Sequence, residues 1–327
     1  MMRLPPFQFY APPTLPEATR VLAESAENGG ALVAGGTDLY PNMKRLQVTP
    51  PQLVSLRGIR ELKEIRRGAD GELIIGAGMT LTHIEQHPLV RELFPSIAEA
   101  IPLISTSPLR NMGTLGGNLC LDTRCHFINQ TAFWRKAIGS CLKDVGDVCR
   151  VAPGSSRCWA IASADLPPLL IALNARVQLV SERGARILPL STLYHDDGIE
   201  YLTKARDEIL TQVILPRSEG VRAGYLKLRR RGSFDFPALG VAAALRLNED
   251  GTCESARVVL GAVTSRPLDM EQARDLIGAK LSDEAIAATA ESIALQARPL
   301  QLADFTHSYR KQMIAVYASK LLKQLAN

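Results

Sequence analysis

Long apolar runs are missing from this chain of 327 residues, although 46% of them are hydrophobic. No stretch approaches the roughly 18 uninterrupted apolar residues of a membrane span. Met1–Tyr10 contains Pro5 and Pro6 and no apolar run of the kind that makes a signal peptide. The expectation is a soluble, cytoplasmic protein with no membrane role. Aromatic residues are scarce at 5%, and both tryptophans, Trp134 and Trp159, fall in one short stretch. Charge of one sign is not concentrated either: the net charge is +5, and the one dense basic run is Lys227-Leu228-Arg229-Arg230-Arg231. A spread excess suits anionic ligands or acidic partners and speaks against nucleic acid. His83, His87, His195 and His307 show neither triad nor metal spacing.

Three kinds of pattern are present. Thr14–Glu27 reads as a helix capped by Thr14, with Leu15, Ala18, Val21 and Leu22 at helical spacing. Strands are predicted at Ala31–Ala34, Leu53–Leu56 and Glu72–Ile75, and a helix after Gly76-Ala77-Gly78, capped by Thr80 or Thr82. This alternation predicts an α/β domain over residues 1–219, in two parts of about 1–57 and 58–219. Ser105–Asn118 reads as a loop, and Cys120–Trp159 has no regular period. Asp165–Ala172 resumes a helical pattern. Gly224–Arg231, Ala238–Leu247 and Ala256–Val263 read as strands, and helices follow Pro267. Residues 220–327 are thus expected to form a smaller domain of three antiparallel strands with helices, and the whole chain an α+β fold.

Two glycine segments carry a nucleotide signal. In the first, Val33-Ala34-Gly35-Gly36-Thr37-Asp38, a strand ends in paired glycines whose backbone can approach a pyrophosphate. The second is Gly113-Thr114-Leu115-Gly116-Gly117-Asn118, where Asn118 can donate to phosphate or flavin edge atoms. Neither fits the GxGxxG or GxxxxGK(S/T) spacing, which disfavours a nicotinamide site and a P-loop. Taken singly, each also reads as a structural turn.

The pair of segments resembles the flavin subunit or domain of the xanthine dehydrogenase and carbon monoxide dehydrogenase family. The likeness continues in Arg110-Asn111-Met112-Gly113-Thr114, Ala164-Asp165-Leu166-Pro167-Pro168-Leu169, Tyr225-Leu226-Lys227 and Phe234-Asp235-Phe236-Pro237. It implies a PCMH-type FAD-binding domain and a C-terminal domain of the CO-dehydrogenase flavoprotein type. It also implies that Val33, Ala34, Gly35, Gly36, Thr37, Asp38, Thr114, Gly116, Gly117 and Asn118 contact FAD. Asp165 and Lys227 fall where the family has residues near the cofactor. From the residues alone, Asp165 also reads as a helix cap and Lys227 as a solvated strand residue.

Residues of about 121–160 are an insertion relative to that pattern. They contain Cys125, Cys141, Cys149 and Cys158, separated by 15, 7 and 8 residues. Four thiolates in one cytoplasmic loop point to metal rather than disulfides. Zinc sites favour close cysteine pairs, which are absent, whereas a loop around a [4Fe-4S] cluster tolerates wide gaps. Structural zinc and free thiols remain the alternatives. Arg124, Arg135, Lys136, Lys143, Arg150 and Arg157 are candidates to offset the cluster's charge, and Trp134 and Trp159 to exclude water. Cys120 and Cys253 read as packing residues. The segments Asp122-Thr123-Arg124-Cys125, Cys141-Leu142-Lys143, Gly146-Asp147-Val148-Cys149 and Ser156-Arg157-Cys158 resemble the β subunit of 4-hydroxybenzoyl-CoA reductase. That resemblance implies electron transfer between a ferredoxin-like carrier, the cluster, FAD and the [2Fe-2S] clusters of a small partner subunit. Substrate chemistry would lie in a large molybdenum cofactor subunit, and the assembly would be a dimer of heterotrimers. A self-contained flavoenzyme and a zinc-stapled nucleotide-binding module are the competing functions.

Overall fold

The computed structural model describes residues 3–300 and 305–327. Strands β1 (Gln8–Tyr10), β2 (Ala31–Val33) and β3 (Gln52–Ser55) form a parallel sheet of order β1-β3-β2. Parallel neighbours need a crossover, and helix Leu15–Ala26 lies between β1 and β2 in the chain. Thr14 starts that helix by accepting the Glu17 N–H, with Pro16 in its first turn. Its buried face, Ala18, Val21 and Leu22, packs on Val54, Ile59 and Leu62.

The second sheet is antiparallel: β4 (Ile65–Arg67), β5 (Leu73–Gly76), β6 (Arg176–Ser181), β7 (Gly184–Pro189) and β8 (Ile209–Leu215), in the order β4-β5-β8-β6-β7. The strand–helix alternation does not reveal this, because β8 arrives from far downstream to separate β5 from β6. Helices Leu81–Gln86, Pro88–Leu93, Pro95–Ala100 and Leu166–Ala172 contribute to its core. Of the two threonines offered as a cap, Thr80 is the one that accepts the His83 N–H.

The third sheet comprises β9 (Val221–Leu228), β10 (Leu239–Leu247), β11 (Cys253–Gly261) and β12 (Leu268–Met270), in antiparallel order β12-β11-β10-β9. Three of these strands are the expected ones. The fourth, β12, is too short to carry a period, and Asp269 on it pairs with Arg257 of β11 at 2.7 Å. Strand β10 is buried on both faces, which is why it reads as a continuous apolar run. Val241, Ala243 and Leu245 belong to the core under helices Asp283–Gln296 and His307–Ala326. Ala242 and Ala244, with Tyr225 and Val259, join the core of the second part.

Arg310 is fully buried in the third part. Its guanidinium donates to the carbonyl of Ala238 at 3.0 Å and to those of Ala262 and Leu300. Burial lowers its pKa to about 10. Arg310→Leu would strand three carbonyls beyond the reach of water. The expected loss is about 2–4 kcal/mol, from the usual cost of unsatisfied buried acceptors, and a denaturant midpoint measures it.

Candidate flavin and cysteine sites

Val33 ends β2 with its side chain in a core shared with Met43 and Leu53, so it offers the site only backbone. The chain then turns through Gly35 and Gly36, the latter at φ +69. The backbone N–H groups of Gly35, Gly36, Thr37 and Asp38 donate to no acceptor among the described residues. Four consecutive unsatisfied donors after a strand, with a glycine at positive φ among them, are the makings of an anion nest.

The second segment is arranged differently. It is not the loop that its composition predicts. Thr114 caps a short helix, Leu115–Leu119, by accepting the Gly117 N–H at 3.1 Å. The Gly116 N–H donates to Ala77 O at 2.8 Å. A β-carbon on Gly116 would sit 2.9 Å from that of Ala77. Gly116 is thus needed first for packing, while Gly117 faces outward. The Gly76-Ala77-Gly78 turn is structural, as a β-carbon on Gly76 would lie 2.3 Å from Leu62 O.

The two segments lie side by side. An added Gly35 β-carbon would fall 2.0 Å from Met112 O and 3.1 Å from the Gly113 Cα. Asn118 Oδ1 accepts the Leu166 N–H at 3.3 Å, tying the second segment to helix Leu166–Ala172.

Asp165 stands at the head of that helix but makes no side-chain cap. Its carboxylate accepts from Tyr225 Oη at 3.0 Å and pairs with Lys227 Nζ at 2.9 Å. Lys227 also donates to Leu103 O at 2.9 Å, and its side chain is 1% exposed. The cap reading of Asp165 and the solvated reading of Lys227 are both overturned. Two groups far apart in sequence form one sealed ion pair. Burial pushes the Asp165 carboxyl up and the Lys227 amine down, while their mutual attraction opposes both shifts.

The cysteine loop begins and ends at one bridge. Arg124 N–H donates to Ile161 O at 2.9 Å, and Ile161 N–H to Arg124 O at 2.7 Å. Between them, Cys125, Cys141, Cys149 and Cys158 line one cavity together with Phe127, Leu142, Lys143, Arg150, Val151 and Ala160. The cavity is small, about 10 Å³, and opens in part to solvent. Among the described residues, no three or more His, Cys, Asp or Glu side chains converge as ligands of one metal ion. All four cysteines nonetheless line the one cavity. Burial raises the pKa of Cys125 and brings Cys158 to about 11, with Lys143 working against the latter. Metal binding requires thiolates, so assembly of a cluster here would release protons.

Five of the six basic residues named for the loop divide into two groups. Lys143 and Arg150 line the cavity. Lys143 Nζ is held by Asp122 at 2.7 Å, Thr123 Oγ1 at 2.6 Å and Gly198 O at 2.6 Å. Arg124, Arg135 and Arg157 are occupied elsewhere, by Asp38, by Asp144 and by Asp196. The tryptophans do not wall the cavity. Trp134 is 37% exposed, and Trp159 lies under the Arg157 guanidinium at 3.6 Å. Phe127, Leu142 and Val151 supply the apolar wall instead. Gly198, outside the insertion, carries no motif yet is essential to the pocket. A β-carbon there would lie 2.7 Å from Cys158 Sγ.

Comparison with known proteins agrees with this architecture. Residues 5–218 match the model of the FAD binding domain in molybdopterin dehydrogenase. The chain belongs to that family. Residues 223–325 match the CO dehydrogenase flavoprotein C-terminal domain. The chain is 28% identical to the nicotinate dehydrogenase FAD-subunit of Eubacterium barkeri, over 86% of its own length and 83% of the relative's. It is 31% identical to an aldehyde oxidoreductase FAD-binding subunit of Escherichia coli, over 78% and 81%. Among solved structures, it superposes on a chain of carbon monoxide dehydrogenase from Hydrogenophaga pseudoflava with a TM-score of 0.81. That match covers 99% of this chain and 98% of the other, and at 24% identity it bears on fold alone. This chain is therefore an FAD-binding member of the molybdenum hydroxylase oxidoreductases with a mixed α and β fold.

The glycines offer a clean probe of where the flavin lies. A β-carbon on Gly117 meets only Thr114 Oγ1 at 3.0 Å, whereas one on Gly35 strikes backbone. Gly117→Ala is expected to keep the melting temperature of the flavin-free protein, since alanine favours a helix, and to weaken FAD binding. Gly35→Ala is expected to destabilise the fold with or without FAD. Flavin absorbance and thermal melts separate the two. Full FAD occupancy in Gly117→Ala would move the flavin away from this turn.

Proposed function

We propose that this chain is the FAD- and [4Fe-4S]-carrying subunit of a cytoplasmic molybdenum-containing complex of the 4-hydroxybenzoyl-CoA reductase type. One observation carries the reading. Four cysteines from an insertion line a single cavity, with Lys143 and Arg150 in its wall. A cluster needs thiolates set around a volume, and a neighbouring cation offsets its negative charge. The wide spacing of the four cysteines, with no close pair among them, speaks against structural zinc.

The flavin site in this reading is the pair of glycine segments, with the open N–H groups of Gly35–Asp38 facing the pyrophosphate. Asp165 and Lys227 act as a buried clamp. They hold β9 against helix Leu166–Ala172, whose first N–H is bound by Asn118. Bound FAD supplies the step between electron pairs and single electrons, and the cluster is a one-electron relay. The chain's own residues hold the two groups at neighbouring places, because the cysteine loop leaves directly from helix Leu115–Leu119. A ferredoxin-like carrier stands on one side of this relay. On the other are a small [2Fe-2S] subunit and a large molybdenum subunit, in which the substrate would bind. The names of the relatives, each called an FAD subunit, support such a division of labour.

Iron, sulfide and flavin analysis of the purified complex tests the proposal. The expected result is FAD together with about four iron per copy of this chain beyond the iron of the small subunit's [2Fe-2S] clusters. Cys125→Ala, Cys141→Ala, Cys149→Ala and Cys158→Ala should each lose iron and keep FAD, while Cys120→Ala and Cys253→Ala should keep both. Stoichiometric zinc in place of iron, or iron loss with Cys120→Ala but not with Cys125→Ala, would overturn it.

A further inference from the structure

Arg124 immediately precedes Cys125, yet its side chain turns away from the cysteine cavity and into the first glycine turn. Its guanidinium pairs with Asp38 through Nη2, and through Nη1 donates to Asn42 Oδ1 at 3.0 Å and Asn129 Oδ1 at 3.2 Å. The Phe236 ring lies 5.7 Å from its centre. The residue is 9% exposed, and its Nε is buried with no hydrogen-bond partner. A guanidinium held this far from water is stabilised chiefly by the carboxylate it pairs with.

Asp38 poses the complementary problem. Its backbone N–H belongs to the open row that begins at Gly35, so its carboxylate stands beside the place proposed for an anionic pyrophosphate. Like charges so close repel strongly in a partly buried site. Burial already raises the Asp38 carboxyl, and Arg124 opposes that rise. The Arg124 side chain meets this need by cancelling the carboxylate at the same turn.

We propose that Arg124, supplied by the cysteine loop, supports FAD binding by neutralising Asp38 beside the pyrophosphate. The inference rests on the placement of FAD at the glycine turns. It adds that FAD affinity depends on a residue outside the flavin motifs, with the loop that carries Cys125 also completing the dinucleotide site. Arginine suits the task because its planar fork holds Asp38, Asn42 and Asn129 at once, an arrangement lysine cannot copy.

The test measures FAD affinity by fluorescence titration of the flavin-stripped complex, with iron content recorded for every variant. Arg124→Met is expected to weaken FAD at least about tenfold, equivalent to about 1.4 kcal/mol, with iron retained. Arg124→Lys should fall between it and the parent. Asp38→Asn in the Arg124→Met background should restore part of the affinity, because the uncompensated carboxylate is gone. If Arg124→Met binds FAD as the parent does while Gly117→Ala does not, the role of Arg124 is wrong and the flavin placement stands. If neither variant loses FAD, the flavin placement itself fails. If Arg124→Met loses iron and melting temperature along with FAD, and Asp38→Asn restores nothing, Arg124 is merely a structural tie and the proposal is overturned.

Discussion

A two-residue bridge holds the distinctive part of this protein in place. Arg124 and Ile161 exchange backbone hydrogen bonds of 2.9 and 2.7 Å, closing the cysteine loop at its base. From that point the loop reaches all three parts of the fold. Arg135 donates to Leu46 O and Gln47 donates to Ile128 O, both in contact with the first part. Thr123 and Lys143 share the Gly198 carbonyl of the second. Ala162 exchanges backbone bonds with Ala262 and Thr264 of the third. An irregular segment with one short helix, Ala132–Ala137, has little periodic structure of its own. Its shape is imposed by these anchors, and the cysteines reach one cavity as a consequence.

The same economy appears at the junction between the second and third parts. The Asp165–Lys227 pair is sealed by burial and completed by Tyr225 and Leu103. Removing either member would leave an uncompensated charge in a dry place, a larger penalty than the pair's net gain. Such a pair specifies register. Lys227 can sit opposite Asp165 only if β9 and helix Leu166–Ala172 dock in one way. Around it, the two-faced burial of β10 fuses the third sheet to the core of the second.

These arrangements hold the glycine turns and the cysteine cavity at fixed places in one fold. No helix of the described residues is long and apolar enough to cross a membrane. The chemistry is concentrated where the three parts meet. The glycine turns interlock at Gly35 and Met112, and the cysteine cavity sits on the chain that leaves them.

Much of this was legible in the residue order. Thr14 and Thr80 are local capping signals and act as such. The paired glycines mark turns because only glycine tolerates the approach of Met112 O or the positive φ at Gly36. The clustering of four cysteines in a segment without period marked one loop, and the structure brings all four to one cavity. Tertiary structure decided the rest. The antiparallel order of the second sheet depends on β8, whose pairing with β5 has no local signature. The destinations of Arg124, Arg157 and the tryptophans, and the part played by Gly198, were not readable. Charge and aromatic content say that a side chain seeks a partner, but not which one. Selection among equivalent partners depends on distance in the folded chain. For Asp38 and Arg124, or Asp165 and Lys227, only packing brings the members together.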